Sequence, residues 1–84
     1  MSEQDNSITA LVESIVTSLV DEVDQVRVES SEQDDTLLVE IEVASEDTGK
    51  IIGRQGRIIK AIRTLARAAS SYVGGAHVEV EVVD

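Results

Sequence analysis

Between Ile51 and Ile59 the chain reads IIGRQGRII. Two glycines stand three positions apart, and an isoleucine pair closes in on each side. Paired isoleucines need a core on which to pack. Glycines open backbone angles that other residues avoid. The stretch therefore predicts two short-connected helices, pinned by their isoleucines and turning sharply between Gly53 and Gly56. Few small folds place such a corner against a sheet, and the flanking patterns call for a sheet.

Upstream, apolar residues fall at Ile8, Leu11, Val12, Ile15, Val16, Leu19 and Val20. Steps of three and four predict a helix over about residues 7–20. Ser7, or Asn6 before it, is the expected N-cap, and residues 1–6 are expected to form a flexible N-terminal tail. Val26 and Val28 alternate with charged residues in a short strand. SSEQDD, residues 30–35, is polar and reads as a loop. In TLLVEIEVA, Leu37, Val39, Ile41 and Val43 face one way while Leu38, Glu40 and Glu42 face the other. That alternation predicts a strand in a sheet covered on one side only. The first two strands lie close enough in sequence to form an antiparallel hairpin.

SEDTGKII predicts a short helix capped by Ser45, with Glu46 and Asp47 at its positive end. After the glycine corner a longer helix is expected from Arg57 to Tyr72. Ile58, Ile59, Ile62, Leu65, Ala66, Ala69, Tyr72 and Val73 make its apolar stripe, and Lys60, Arg63 and Arg67 an opposite basic stripe. Gly74 and Gly75 end it. HVEVEVVD is a third strand with Val78, Val80 and Val82 inward. The order is α-β-β-α-α-β. Two helices join the last two strands, so these run parallel through a right-handed crossover. The expected architecture is α+β, a three-stranded mixed sheet with three helices on one face, in a single domain over residues 7–84.

At 84 residues, a single domain buries only about 60% or slightly more of its unfolded surface. The core must be aliphatic, because Phe and Trp are absent and Tyr72 is the sole aromatic residue. No cysteine is present, which removes disulfides and thiolate chemistry. No apolar run reaches the roughly 18–20 residues of a membrane span, and MSEQDNS is unlike a signal peptide. A cytoplasmic protein is expected.

Net charge is −10, yet six of the seven basic residues lie from Lys50 to Arg67, with no acidic residue among them. A polyanion has one permitted approach. Arg54 and Gln55 occupy the tip of the corner, with Lys50, Arg57 and Lys60 near it. The helix after Gly56 presents its free amides and positive dipole end to the same corner. This is a phosphate-binding arrangement. Its plainer alternative is a structural turn with a solvated charged face.

GKIIGRQGRIIKAIRTL resembles the signature of a K-homology (KH) domain, an Ile-Gly-x-x-Gly segment between two helices followed by an aliphatic pair and a lysine. Ile52, Gly53, Arg54, Gln55, Gly56, Ile58, Ile59 and Lys60 fall in place. The element order resembles the type II KH fold over nearly the whole chain. A stand-alone domain of this length is similar to the small bacterial KhpA (YlqC-like) proteins. The resemblance implies non-catalytic binding of single-stranded RNA, about four nucleotides held against the Gly-x-x-Gly loop. On that basis Gly53, Arg54, Gln55 and Gly56 form the clamp. Lys50, Ile51 and Ile52 line the adjacent aliphatic groove, and Arg57 and Lys60 reach phosphate. Ile41 or Val43 is its floor or simply core. Arg63 and Arg67 either touch RNA or are solvated. The resemblance also implies an RNA-chaperone or post-transcriptional role, a homodimer, and a KH partner of the KhpB (Jag, EloR) kind.

Other chemistries find less. His77 is the only histidine, so no metal set and no catalytic constellation can be assembled around it. Gly49–Lys50 is followed by Ile51 where a P-loop needs Ser or Thr, and the glycine spacing does not fit a dinucleotide fingerprint. No cofactor is expected. A helix-turn-helix DNA binder and a protein-interaction module are the rival readings.

Overall fold

A computed structural model describes residues 3–72 and 77–83, with side chains described for 7–70 and 77–83. Helix α1 spans Glu3–Leu19, strands β1 and β2 span Arg27–Gln33 and Thr36–Glu42, and helix α2 spans Thr48–Ile52. Helix α3 (Arg57–Tyr72) and strand β3 (His77–Val82) complete the order α-β-β-α-α-β. Single 3-10 turns stand at Val23–Gln25, Ser45–Asp47 and Arg54–Gly56.

The sheet order is β1-β2-β3, antiparallel between β1 and β2 and parallel between β2 and β3. Its inward residues are those the alternation assigned. Leu37, Val39, Ile41, Val78 and Val80 are all buried. Ile8, Val12, Val16 and Val20 of α1 and Ile59, Ile62 and Ala66 of α3 join them in one aliphatic core. The five-residue α2 contributes Ile51 to that core and packs the half-buried Ile52 against it. The opposite face of the sheet carries no helix. There Glu29, Glu40 and Glu81 stand side by side across all three strands. Like charges in direct cross-strand register repel, so this face suits water and not a core.

Four expectations needed correction. Helix α1 begins at Glu3, so Ser7 lies within it; no proline or glycine precedes Ser7 to stop the helix, and Glu3 and Asp5 suit a first turn. Residues 30–33 are strand, not loop. The hairpin turns on Asp34 and Asp35 alone, at φ 51° and 63°, the two left-handed residues of a tight hairpin. β1 lies at the edge of the sheet, where polar residues suffice, so its second half carried no apolar signal.

Ser45 makes no side-chain cap; its 3-10 turn feeds directly into α2. Finally, Leu65 is half exposed, while Ser70 is buried. α3 is rolled relative to the expected stripe, with Ala66 central and Leu65 pushed out. The same roll leans Arg63 and Arg67 toward β3. The side chain of Tyr72, Val73 and the helix-breaking glycines lie outside the described residues.

Candidate functional site

The corner between α2 and α3 is built by backbone geometry. Gly53 sits at φ 76°, ψ 173°, a combination essentially confined to glycine. A Cβ there would lie 2.6 Å from Ile58 Cγ1 and 2.9 Å from the Ile58 nitrogen. Gly56 also has positive φ, at 72°, but a Cβ would meet nothing closer than Ile59 Cγ2 at 3.8 Å. Gln55 takes the left-handed conformation as well, at φ 56°. The Gly53 N–H donates to the Gly49 carbonyl at 2.9 Å and closes α2, and the Gly56 N–H donates to the Gly53 carbonyl at 3.1 Å. The loop is thus locked at both glycines, and its two middle residues project.

Arg54 and Gln55 are exposed. Arg57 donates to Gln55 Oε1 at 3.3 Å. Arg54 and Lys60 have no hydrogen-bond or ion-pair partner for their charge among the described residues. Both side chains are exposed.

Lys50 is different. Its Nζ donates to Asp21 Oδ2 at 2.6 Å and to Asp47 Oδ1 at 2.9 Å. Asp47 is fully buried. It accepts the Glu22 N–H at 2.9 Å and the Asp21 N–H at 3.3 Å. One carboxylate therefore ties the chain after α1 to the start of α2. Hydrogen bonding from Lys50, then from the Glu22 amide, holds the Asp47 carboxyl below its ordinary value. The hydrogen bonds from Lys50 to Asp21 and Asp47 push its ammonium well above the usual lysine range. This cation is committed to the fold.

A groove of about 540 Å³ runs between α3 and the open edge of β3. Lys60, Arg63, Thr64 and Arg67 form its helical wall, and Glu79, Val80 and Glu81 its strand wall. Arg63 Nε donates to the Val80 carbonyl and Arg67 Nε to the Val78 carbonyl, each at 3.1 Å. Two guanidinium groups thereby occupy acceptors that an edge strand otherwise leaves open to pairing.

Of the nine residues singled out in the sequence, the fold brings Gly53, Arg54, Gln55, Gly56 and Arg57 together at the corner, with Lys60 one turn along α3. Ile52 is half buried beside them. Ile51 is completely buried and offers no surface, and Lys50 is turned into its carboxylate pair. Ile41 is core and Val43 is half buried at the end of β2. One open groove lies on the β3 side, and a second is lined by Asp24, Gln25, Arg27, Glu42 and Val43. Arg63 and Arg67 are neither simply solvated nor idle, because they bind backbone.

Sequence reasoning missed Asp47, whose spacing of three from Lys50 was a usable sign of an ion pair. It also gave no role to Glu79 and Glu81, which line the groove. No described helix is long and apolar enough to cross a membrane. No group of three His, Asp or Glu side chains among the described residues is arranged to hold a metal ion.

The KhpA/KhpB KH-domain profile matches residues 9–82, which include the corner, both of its helices and all three strands. The chain belongs to this KH-domain family. Among its relatives, the RNA-binding protein KhpA of Borreliella burgdorferi is 43% identical over 84 residues, the full length of both chains. The RNA-binding protein KhpA of Clostridium acetobutylicum is 50% identical over 60 residues, 71% of this chain and 80% of that one. The fold recurs in Era, crystallised with MgGDPNP and nucleotides 1506-1542 of 16S ribosomal RNA. The TM-score is 0.64 at 25% identity, over 90% of this chain and 30% of Era. It recurs also in Aquifex aeolicus Era, at TM-score 0.60 and 22% identity over 99% of this chain and 33% of that one. The chain thus spans about a third of each Era chain.

Proposed function

We propose that this protein binds single-stranded RNA without catalysis, holding the backbone at Gly53–Gly56 and laying the bases along the groove between α3 and β3. One observation carries the reading. Arg54 and Gln55 are displayed, exposed, on a loop locked by two positive-φ glycines, at the head of a groove with a cationic wall. Amides and forked guanidinium donors suit phosphate oxygens. A groove without aromatic platforms suits KH recognition better than recognition by stacking. The names of the relatives support the same reading.

Charge gives the domain its directionality. Glu29 and Glu40 repel a phosphate chain from the bare sheet face, and the corner and α3 are left as the approach. Affinity of one small domain is modest. The cellular role that fits is RNA chaperoning or post-transcriptional regulation in the cytoplasm, with a KhpB-like KH protein as a companion. Self-association is a second reading, favoured by the half-exposed Leu65 on α3. Two linked sites gain effective concentration. Sedimentation of the protein alone, compared with Leu65→Asp, tests it.

The test of RNA binding is the double substitution Arg54→Asp with Gln55→Asp. Both side chains are exposed, so circular dichroism should show an unchanged fold. Affinity for a short single strand should fall roughly 100-fold, about 3 kcal/mol of lost charge-assisted contacts. Duplex DNA should bind weakly to both proteins. Unchanged RNA affinity in the folded double variant contradicts the reading.

A further inference from the structure

The groove has walls of opposite sign. Lys60, Arg63 and Arg67 stand on α3, and Glu79 and Glu81 on β3. The arginines are anchored by their bonds to the carbonyls of Val80 and Val78, so the cationic wall is held in place. Glu79 is partly satisfied, with Arg67 at 3.6 Å and His77 at 2.5 Å. Glu81 is exposed and has no ion-pair partner among the described residues. It is the free carboxylate of the strand wall.

A nucleotide strand in such a groove has one favourable roll. Its phosphates lie against the lysine and arginine wall, and its bases turn toward β3, because the reverse would set phosphate against carboxylate. At β3 a base edge then meets ionised carboxylates. An ionised carboxylate accepts hydrogen bonds and donates none. Adenine offers its N6 amino group and cytosine its N4 amino group, whereas O4, the acceptor of thymine and equally of uracil, stands at that position. A carboxylate attracts the first two and repels the third.

Resting on the RNA-binding reading above, we infer that Glu81, backed by Glu79, is a specificity-determining residue that selects adenine and cytosine, which carry an amino group where uracil carries O4, over uracil. Two of the chain's seventeen acidic residues are then the part that reads the base, while the arginines opposite fix the strand's orientation. The outward position of Glu79 and Glu81 on β3 is ordinary for a solvated strand face. Their position on a groove facing three cations is not.

Fluorescence anisotropy with short labelled homo-oligomers of A, C and U tests this on the full chain. The proteins compared are the wild type, Glu81→Gln, Glu79→Gln and the Arg54→Asp/Gln55→Asp loop variant. Wild type should bind the A and C strands about tenfold more tightly than the U strand, the scale of one good carboxylate–amino pair. Removing a negative charge tightens all three strands, so the ratio between bases is the readout and absolute affinity is not. In Glu81→Gln the amide can also donate to O4, and the ratio should fall toward unity. Glu79→Gln should lower it less.

Equal binding of the three strands to wild type, lost in the loop variant, overturns the selection and leaves RNA binding standing. A ratio unchanged in both glutamine variants overturns it too. Binding of none of the three strands overturns the inference and the RNA reading together.

Discussion

The two ends of α2 make opposite use of the same chemistry. At its start, Lys50 is closed between Asp21 and Asp47, and Asp47 in turn holds two backbone amides of the chain after α1. Four residues on, at its end, Arg54 is displayed on a glycine-locked loop with no partner among the described residues. Both ends carry a basic residue within one run of positive charge. One charge is consumed in joining elements of the fold and the other is left to a ligand. Positive charge in a sequence marks where a cation is, and only the partners around it decide whether it is available.

If the closed end serves the fold and the open end serves binding, substitutions should separate the two properties. The exception is Gly53, which shapes the open end and also packs on Ile58. Gly53→Ala should cost about 3 kcal/mol, from the strained φ/ψ and the Cβ contact together. On the scale for a domain this size that is a fall in Tm of roughly 12–24 °C. RNA affinity should drop with it.

Asp47→Ala comes next. It leaves two amides without their acceptor, and thermal melting should show a fall of roughly 10 °C. The protein still folded at low temperature should bind RNA as wild type does. Lys50→Gln removes a half-exposed ammonium and should lower Tm by only a few degrees, again with RNA affinity kept. Gly56→Ala should have a similarly small effect. No clash attends it, and the left-handed angle alone costs roughly 1 kcal/mol. A large loss of RNA affinity in folded Asp47→Ala or Lys50→Gln would break the separation.

The closed end also has a pH signature. The folded Asp47 carboxyl titrates below its unfolded value. Its contribution is therefore complete at neutral pH and is lost as pH falls below roughly 4, through the folded value. The Tm difference between wild type and Asp47→Asn should be constant near neutrality and shrink in acid. Lys50 runs the other way. Its pKa is raised, so its contribution is complete at neutral pH and is lost only as pH climbs beyond the ordinary lysine range.

Most of the fold was legible because its elements have strong periods. β3 alternates without interruption, β2 does so apart from Leu38, and α3 begins beside its first stripe residue, Ile58. The two glycines announced their corner because their spacing leaves the chain few other uses for them. Three things were hidden. The second half of β1 is an edge strand of serine, glutamate and glutamine, and edge strands need no apolar face. The roll of α3 depends on how Ile59, Ala66 and Ser70 fit the sheet, which periodicity alone does not fix within one residue. The groove depends on that roll. Once Leu65 turns outward, Arg63 and Arg67 reach the carbonyls of β3, and the open surface moves from the side of Ile51 to the side of Glu81. Asp47 was visible as a charge, but its burial follows from where α1 ends, a contact between residues more than twenty apart.

A salt titration gives a first view of the open end. Three or four phosphates held on a single strand predict a log–log slope of roughly −2 to −3. The most direct measurement is an amide-resolved NMR titration of the protein with a short single-stranded RNA. Resonances of Gly53, Arg54, Gln55 and Gly56, and of the α3 and β3 residues that line the groove, should shift together and saturate together. Those of Asp21, Glu22, Asp47 and Lys50 should stay within the general background. Shifts centred on the Asp47–Lys50 junction or on the bare sheet face, with the glycine loop unmoved, would contradict the account.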